Sequence, residues 1–197
     1  MTASDGRQGQ GAGTPVPRSA SSVPAAGLPD YAELRCVSTF SFLVGASQPE
    51  ELVERAHKQG YRALALTDEC SVAGVVRAHV VAKKIGLKLL IGSQFSVAVP
   101  EPSGSDAPGP FSLGVLTCNL NGYGNLCEFI TKLRRASEKG TYHLDLGDIA
   151  SDELADCVVV ASPVRGSSDA QLVGLARWLL THFTGRCWLG VELLRQL

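Results

Sequence analysis

From Tyr31 onward, apolar and polar positions follow two alternating rhythms. Short apolar runs of strand length stand at 31–37 (YAELRCV), 63–67 (ALALT), 88–97 (KLLIGSQFSV), 112–118 (SLGVLTC), 156–161 (DCVVVA) and 186–193 (RCWLGVEL). Between several of them apolar residues recur every three or four positions, the spacing of a one-sided helix. Ser47-Gln48-Pro49-Glu50 reads as a helix start, with Ser47 as N-cap, a proline allowed in the first turn and a glutamate placed to close a capping box. Leu52, Val53 and Ala56 supply the apolar stripe, and Gly60 the stop. The pattern repeats over 72–85, through Val72, Val75, Val76, His79, Val80 and Lys83, and ends before Gly86. Two more helices are predicted over about 124–138 and 168–183.

Strand followed by helix followed by strand implies right-handed crossovers, and so an α/β fold with a mainly parallel sheet, open or closing into a barrel. Ligands in such folds sit at the carboxyl ends of the strands. The segments after Val37, after Thr67 and around Gly92–Gln94 are therefore where chemistry is expected.

Composition divides the chain. In residues 1–29, 18 positions are Gly, Pro, Ser or Ala and none is aromatic, the composition of a disordered tail. The segment lacks the apolar stretch of a secretory signal, and no amphipathic helix supports a transit peptide. A second cluster, AVPEPSGSDAPGP at 98–110, holds four of the 10 prolines and reads as a mobile loop. The globular part is then 30–197. With 18 basic against 19 acidic residues, the chain cannot act as an autonomous basic glove for nucleic acid. No apolar run approaches the roughly 18 residues of a membrane span. Cys36, Cys70, Cys118, Cys127, Cys157 and Cys187 show no CxxC spacing and mostly sit in apolar runs, so buried free thiols and a reducing cytoplasm are expected.

At the strand ends the chemistry is sparse. Asp68-Glu69 after the second strand could bind a metal or work as an acid–base pair, but on these residues alone the favoured reading is that Asp68 or Ser71 caps the next helix. Arg35 brings a cation to the first strand, and Gln94 a neutral amide to the third. GYG at 122–124 reads as a turn introducing a helix, and no P-loop or HExxH occurs. His57, His79, His143 and His182 are widely separated. Lys132, Arg134, Arg135 and Lys139, interleaved with Glu128 and Glu138, read as a solvated helix face.

The strings YAELRCVSTFSFLVGAS, ALTDECS, IGSQFSV and GYGNLCEFITKLRRASEKG resemble the N-terminal PHP (polymerase and histidinol phosphatase) domain of C-family bacterial DNA polymerases, the error-prone branch above all. The likeness is strong over 31–140 and looser over 141–197. It implies a distorted β/α barrel of PHP type at the front of a longer chain, incomplete here, with the polymerase's catalytic carboxylates in a palm further on. No catalytic residue is therefore expected in this segment, which alone would not polymerise DNA. The parent family's nucleotidyl transfer, with Mg²⁺, serves damage-induced mutagenic synthesis. The expected partners are the remaining polymerase domains and, through them, DNA, with no membrane.

The resemblance also implies where a metal-dependent PHP domain carries its ligands. His-x-His on the first strand corresponds to Arg35 and Val37, a ligand before the next turn's glycine to Val44, Thr-Asp-His to Thr67-Asp68-Glu69, and Gly-x-Glu to Gly92-Ser93-Gln94. Of the five ligand positions only Glu69 keeps an anionic oxygen. These positions describe a degenerate metal site, with no metal expected for this segment. Arg35 would stand in for a cation by pairing with Asp68 or Glu69, with Val37 and Val44 as core filling. A metal-dependent PHP phosphoesterase, and a non-catalytic remnant or interaction module, are the alternatives.

Overall fold

The computed structural model describes residues 30–100 and 107–191. The tail at 1–29, the middle of the proline-rich loop and the last positions of the sixth strand run lie outside the described residues. The elements follow in the order β1 (Ala32–Cys36), α1 (Pro49–Lys58), β2 (Ala63–Leu66), α2 (Val75–Ile85), β3 (Lys88–Val97), β4 (Phe111–Thr117), α3 (Leu120–Ala136), β5 (Cys157–Pro163), α4 (Asp169–His182) and β6 (Cys187–Leu189). A 3₁₀ turn at Leu146–Asp148 precedes β5.

The six strands form one sheet in chain order. β1–β2, β2–β3 and β5–β6 are parallel, whereas β3–β4 and β4–β5 are antiparallel. Parallel pairings thus predominate, as the alternating pattern predicts, but β4 runs against both neighbours. For the β3–β4 pair the physical reason lies in the connection. A parallel return needs a crossover of a dozen or more residues, usually helical, and the Pro-rich stretch between β3 and β4 cannot supply one. β3 itself serves two pairings, with 88–91 beside β2 and 92–97 beside β4. Gly92 stands at that handover, where a Cβ would lie 2.4 Å from the Val115 carbonyl oxygen. Only glycine lets the two backbones approach so closely.

Alternation within the strands gives the sheet two faces. Phe95, Val97, Phe111, Leu113, Val115, Val159 and Ala161 are buried in one core with Leu126, Phe129 and Leu133 of α3 and Leu175 and Leu179 of α4. A smaller core joins Leu64 and Leu66 of β2 to Val53 and Ala56 of α1 and Ala78 and Ala82 of α2. The other face is concave. Arg35 of β1, Ser112, Gly114 and Leu116 of β4, Val160 and Ser162 of β5, and Gly190 just past β6 line a single hollow of about 400 Å³. First and last strands border one hollow, so the sheet curls as a half-barrel.

Three helix starts differ from the sequence pattern. The N-cap of α1 is Gln48 rather than Ser47, and its N–H donates to Glu51 Oε2 at 2.9 Å, so Glu51 closes the box. Helix α2 begins at Val75 after Gly74, and neither Asp68 nor Ser71 caps it. GYG lies inside the first turns of α3, because Asn119 caps that helix by accepting from Gly122 N at 2.9 Å. No helix among the described residues is long and apolar enough to cross a membrane.

Candidate functional site at the strand ends

The carboxyl ends of β1, β2 and β3 meet, as the parallel register requires. Just beyond β2 the adjacent carboxylates Asp68 and Glu69 take opposite directions. Asp68 is 1% exposed and its two oxygens are consumed by one loop. Oδ1 accepts from Ser38 N and Ser41 Oγ, each at 2.7 Å, and Oδ2 accepts from Ser38 Oγ at 2.8 Å. A buried carboxylate is tolerated when its lone pairs are filled in this way. The backbone here is equally committed. Ser93 Oγ donates to the Asp68 carbonyl at 2.7 Å and accepts from Ser71 N at 3.0 Å.

Glu69 bridges to Gln94 of β3 and is only half-buried. Its Oε2 accepts from Gln94 Nε2 at 2.8 Å, and its Oε1 accepts from Ser96 Oγ at 3.1 Å and from the Tyr142 hydroxyl. Gln94 in turn accepts from Arg35 Nε at 2.9 Å, and Arg35 Nη2 reaches Ser112 Oγ on β4 at 3.3 Å. Burial, and then the bond to Glu69, push the Tyr142 phenol well above its ordinary value.

Four of the positions singled out in the sequence are thus brought together: Arg35, Asp68, Glu69 and Gln94. The expected contact between Arg35 and an acid is relayed. Gln94 stands between the guanidinium and Glu69, while the serines take Asp68. Val44 is corrected outright, being 67% exposed rather than filling the site, and Val37 is half-buried. Val44 lies within a turn in which Leu43 has φ +61° and Gly45 presses on Ser38, so tightly that a Cβ would lie 1.9 Å from the Ser38 carbonyl oxygen. That turn aims the apolar residues outward.

Sequence reasoning missed Ser38, Ser41, Ser96, Tyr142 and Arg134. Arg134 belongs to the stretch read as a solvated helix face, yet its guanidinium donates to the carbonyls of Glu69, Cys70, Gly140 and Thr141 at 3.2–3.3 Å. It also stands 5.5 Å from the Tyr142 ring centre. The one available signal was the pair Ser38 and Ser41 in a segment without charge. Tyr142 gave none, because 73 residues separate it from Glu69.

A divalent ion needs several anionic or imidazole ligands converging on one point. Arg35, Val37 and Val44 offer no donor of that kind, Gln94 offers an amide already bonded on both sides, and Asp68 faces the serine loop. Among the described residues no group of three or more His, Cys, Asp or Glu side chains is placed to hold a metal. The residues at these positions do not fit the metal cluster that a metal-dependent PHP domain would carry there.

With this geometry in hand, comparison with known proteins defines the class. Residues 33–169 match the PHP domain family, and the chain belongs to it. A solved structure of a protein from Bifidobacterium adolescentis, assigned as a metal-dependent phosphoesterase, superposes with a TM-score of 0.57 at 18% identity, covering 81% of this chain and 76% of that one. At that identity it speaks for the fold, a distorted β/α barrel. The sequence relatives are more particular. An error-prone DNA polymerase from Dechloromonas aromatica is 49% identical over 170 residues, and one from Bordetella parapertussis 50% identical over 175. These alignments take in 84–85% of this chain but only 15–16% of the polymerases, whose PHP segment is the part that matches.

Proposed function

We propose that this chain serves as the PHP portion of an error-prone DNA-directed DNA polymerase, with a structural role and no metal chemistry of its own. The observation that carries the reading is the occupation of the strand-end carboxylates. Asp68 spends both oxygens on the loop that follows β1, and Glu69 spends both on Gln94, Ser96 and Tyr142. Positions that would hold metal ligands instead form a hydrogen-bonded clamp from Arg35 through Gln94 to Glu69. Such a clamp ties β1, β3 and the turn after β2 together and so fixes the mouth of the half-barrel. On this reading nucleotidyl transfer, its Mg²⁺ and most DNA contacts belong to other domains of the polymerase. Damage-induced mutagenic synthesis in the cytoplasm is the setting.

Thermal unfolding of the chain with and without Zn²⁺ or Mn²⁺, paired with hydrolysis of a simple phosphodiester, tests the proposal. A ligand at 100 times its Kd stabilises a protein by about 2.7 kcal/mol, a shift such scans resolve easily. The expected result is no shift and no hydrolysis. Stoichiometric stabilisation together with metal-dependent hydrolysis would overturn it in favour of a phosphoesterase.

A further inference from the structure

The loop after β1 has a property that the clamp does not explain. From Ser38 to Gln48 no residue is charged, and four of the residues are large and apolar. Phe42 is 84% exposed, Leu43 89% and Val44 67%, with Phe40 at their base 38% exposed. Neither core includes them. Floppy apolar loops are common, but this one is fastened. Ser38 and Ser41 hold the buried Asp68, Thr39 N donates to Ser47 O at 2.9 Å, and Val44 N and Gly45 N both donate to Ser41 O at 3.0 Å. Leu43 even adopts a left-handed backbone conformation, which costs a residue with a Cβ. Internal bonds and strain are thus spent on holding three consecutive apolar side chains in water.

We propose that this rigid apolar knob is a docking surface for the polymerase portion of an error-prone polymerase chain, the inference resting on the function proposed above. A preformed, charge-free patch with an aromatic anchor has the make-up of the buried centre of a protein interface. Its rigidity lowers the entropy lost on docking. The charges nearest in sequence on its C-terminal side, Glu50, Glu51 and Glu54, are acidic, and no Lys or Arg occurs between Arg35 and Arg55. That flank disfavours nucleic acid and anionic lipid, both of which need cations. The matched segment is only 15–16% of the relatives' length, so most of each polymerase is available to cover the knob.

The test places residues 31–197 of this chain in the full-length Dechloromonas aromatica polymerase, in place of its matching segment. Hydroxyl-radical oxidation of Phe42 and Leu43 is then compared between this chain alone and the chimera. Both rates are expected to fall at least fivefold in the chimera, while Leu120, 82% exposed at the start of α3, keeps its rate. The Phe42→Ser, Leu43→Gly double variant is expected to shorten the chimera's active lifetime at raised temperature. It should leave the unfolding temperature of this chain alone unchanged or higher, because glycine accepts the positive φ. A chimera that copies DNA yet leaves Phe42 and Leu43 fully reactive overturns the docking proposal. Protection in the isolated chain that grows with its concentration assigns the knob to a second copy, and overturns it too. A chimera that neither copies DNA nor protects the knob overturns the underlying reading as well.

Discussion

Asp68 and Glu69 are adjacent in the chain, yet they belong to two differently built regions. Behind the strand ends, Asp68 sits in a closed cage with three short bonds to Ser38 and Ser41 and almost no solvent. In front, Glu69 anchors an open relay that runs through Gln94 to the exposed Arg35 on one side and to Tyr142 and Ser96 on the other. The two carboxylates make similar numbers of bonds, so the count does not distinguish them. Their surroundings do. Water can replace a lost partner in the relay, whereas in the cage it cannot, and an unmet buried donor bears its full desolvation cost. The cage should therefore carry stability, and the relay should carry shape.

Replacing Asp68 is the most severe way to probe the difference. Asp68→Ala strands the Ser38 N–H and two hydroxyls in the interior, and should cost about 3–5 kcal/mol. For a domain of this size that is a fall in Tm of roughly 10 °C. Glu69→Ala, at a half-exposed position, should cost about 1 kcal/mol. Urea unfolding of both variants measures the gap directly. Equal losses would mean that the two regions are not distinct.

The cage and the relay were also unequally legible in the sequence. The relay's members Arg35, Glu69 and Gln94 fall on or just after three strands that the hydrophobic pattern marks, and the parallel pairing of β1, β2 and β3 brings them together. The convergence could therefore be read before the fold was known. The cage could not, because Ser38 and Ser41 become ligands of a carboxylate only when the loop after β1 folds back over β2. The inward turn of Arg134 escaped for a related reason. A helix pattern says which face is apolar, but not that a cation on its margin will find four free carbonyls. The reversed β4 was legible in principle, since Pro-rich spacing between two strand runs argues for an antiparallel return. Val44 was misplaced because its position in the chain says nothing of the left-handed turn at Leu43.

Arg35→Ala tests the far end of the relay. The family resemblance implies a cation paired with Asp68 or Glu69, whose loss would be clearly destabilising. In the structure Arg35 is exposed, and its bonds to Gln94 and Ser112 hold the mouth of the hollow from the solvent side. Exposed polar contacts contribute little, so a loss of about 1 kcal/mol is expected. The comparison sharpens if Arg35→Ala and Glu69→Ala are not additive, because the two act through Gln94. A loss as large as that of Asp68→Ala would place Arg35 in the cage's class.

The smallest effect is confined to alkaline pH. The Tyr142 phenol is raised above its ordinary 10.0 by burial first and by the Glu69 carboxylate second. The unfolded chain releases this proton near pH 10, and the folded chain holds it to higher pH. Above pH 10 the folded state therefore binds more protons than the unfolded one, so stability falls as pH rises through the folded value. Whatever the Tyr142 hydroxyl contributes, about 1 kcal/mol, is fully present below pH 10 and fades above it. Cys36, Cys70 and Cys157, pushed up to about 11 by burial, and Tyr31, pushed up to about 12 by its bond to Glu33, weaken the fold over the same range. They do so equally in Tyr142→Phe. The difference in Tm between the two proteins should hence be constant from pH 7 to 9 and shrink by pH 11. A difference that stays constant to pH 11 would mean that the phenol is ordinary, and that the front of the site is held by Arg35, Gln94 and Ser96 without it.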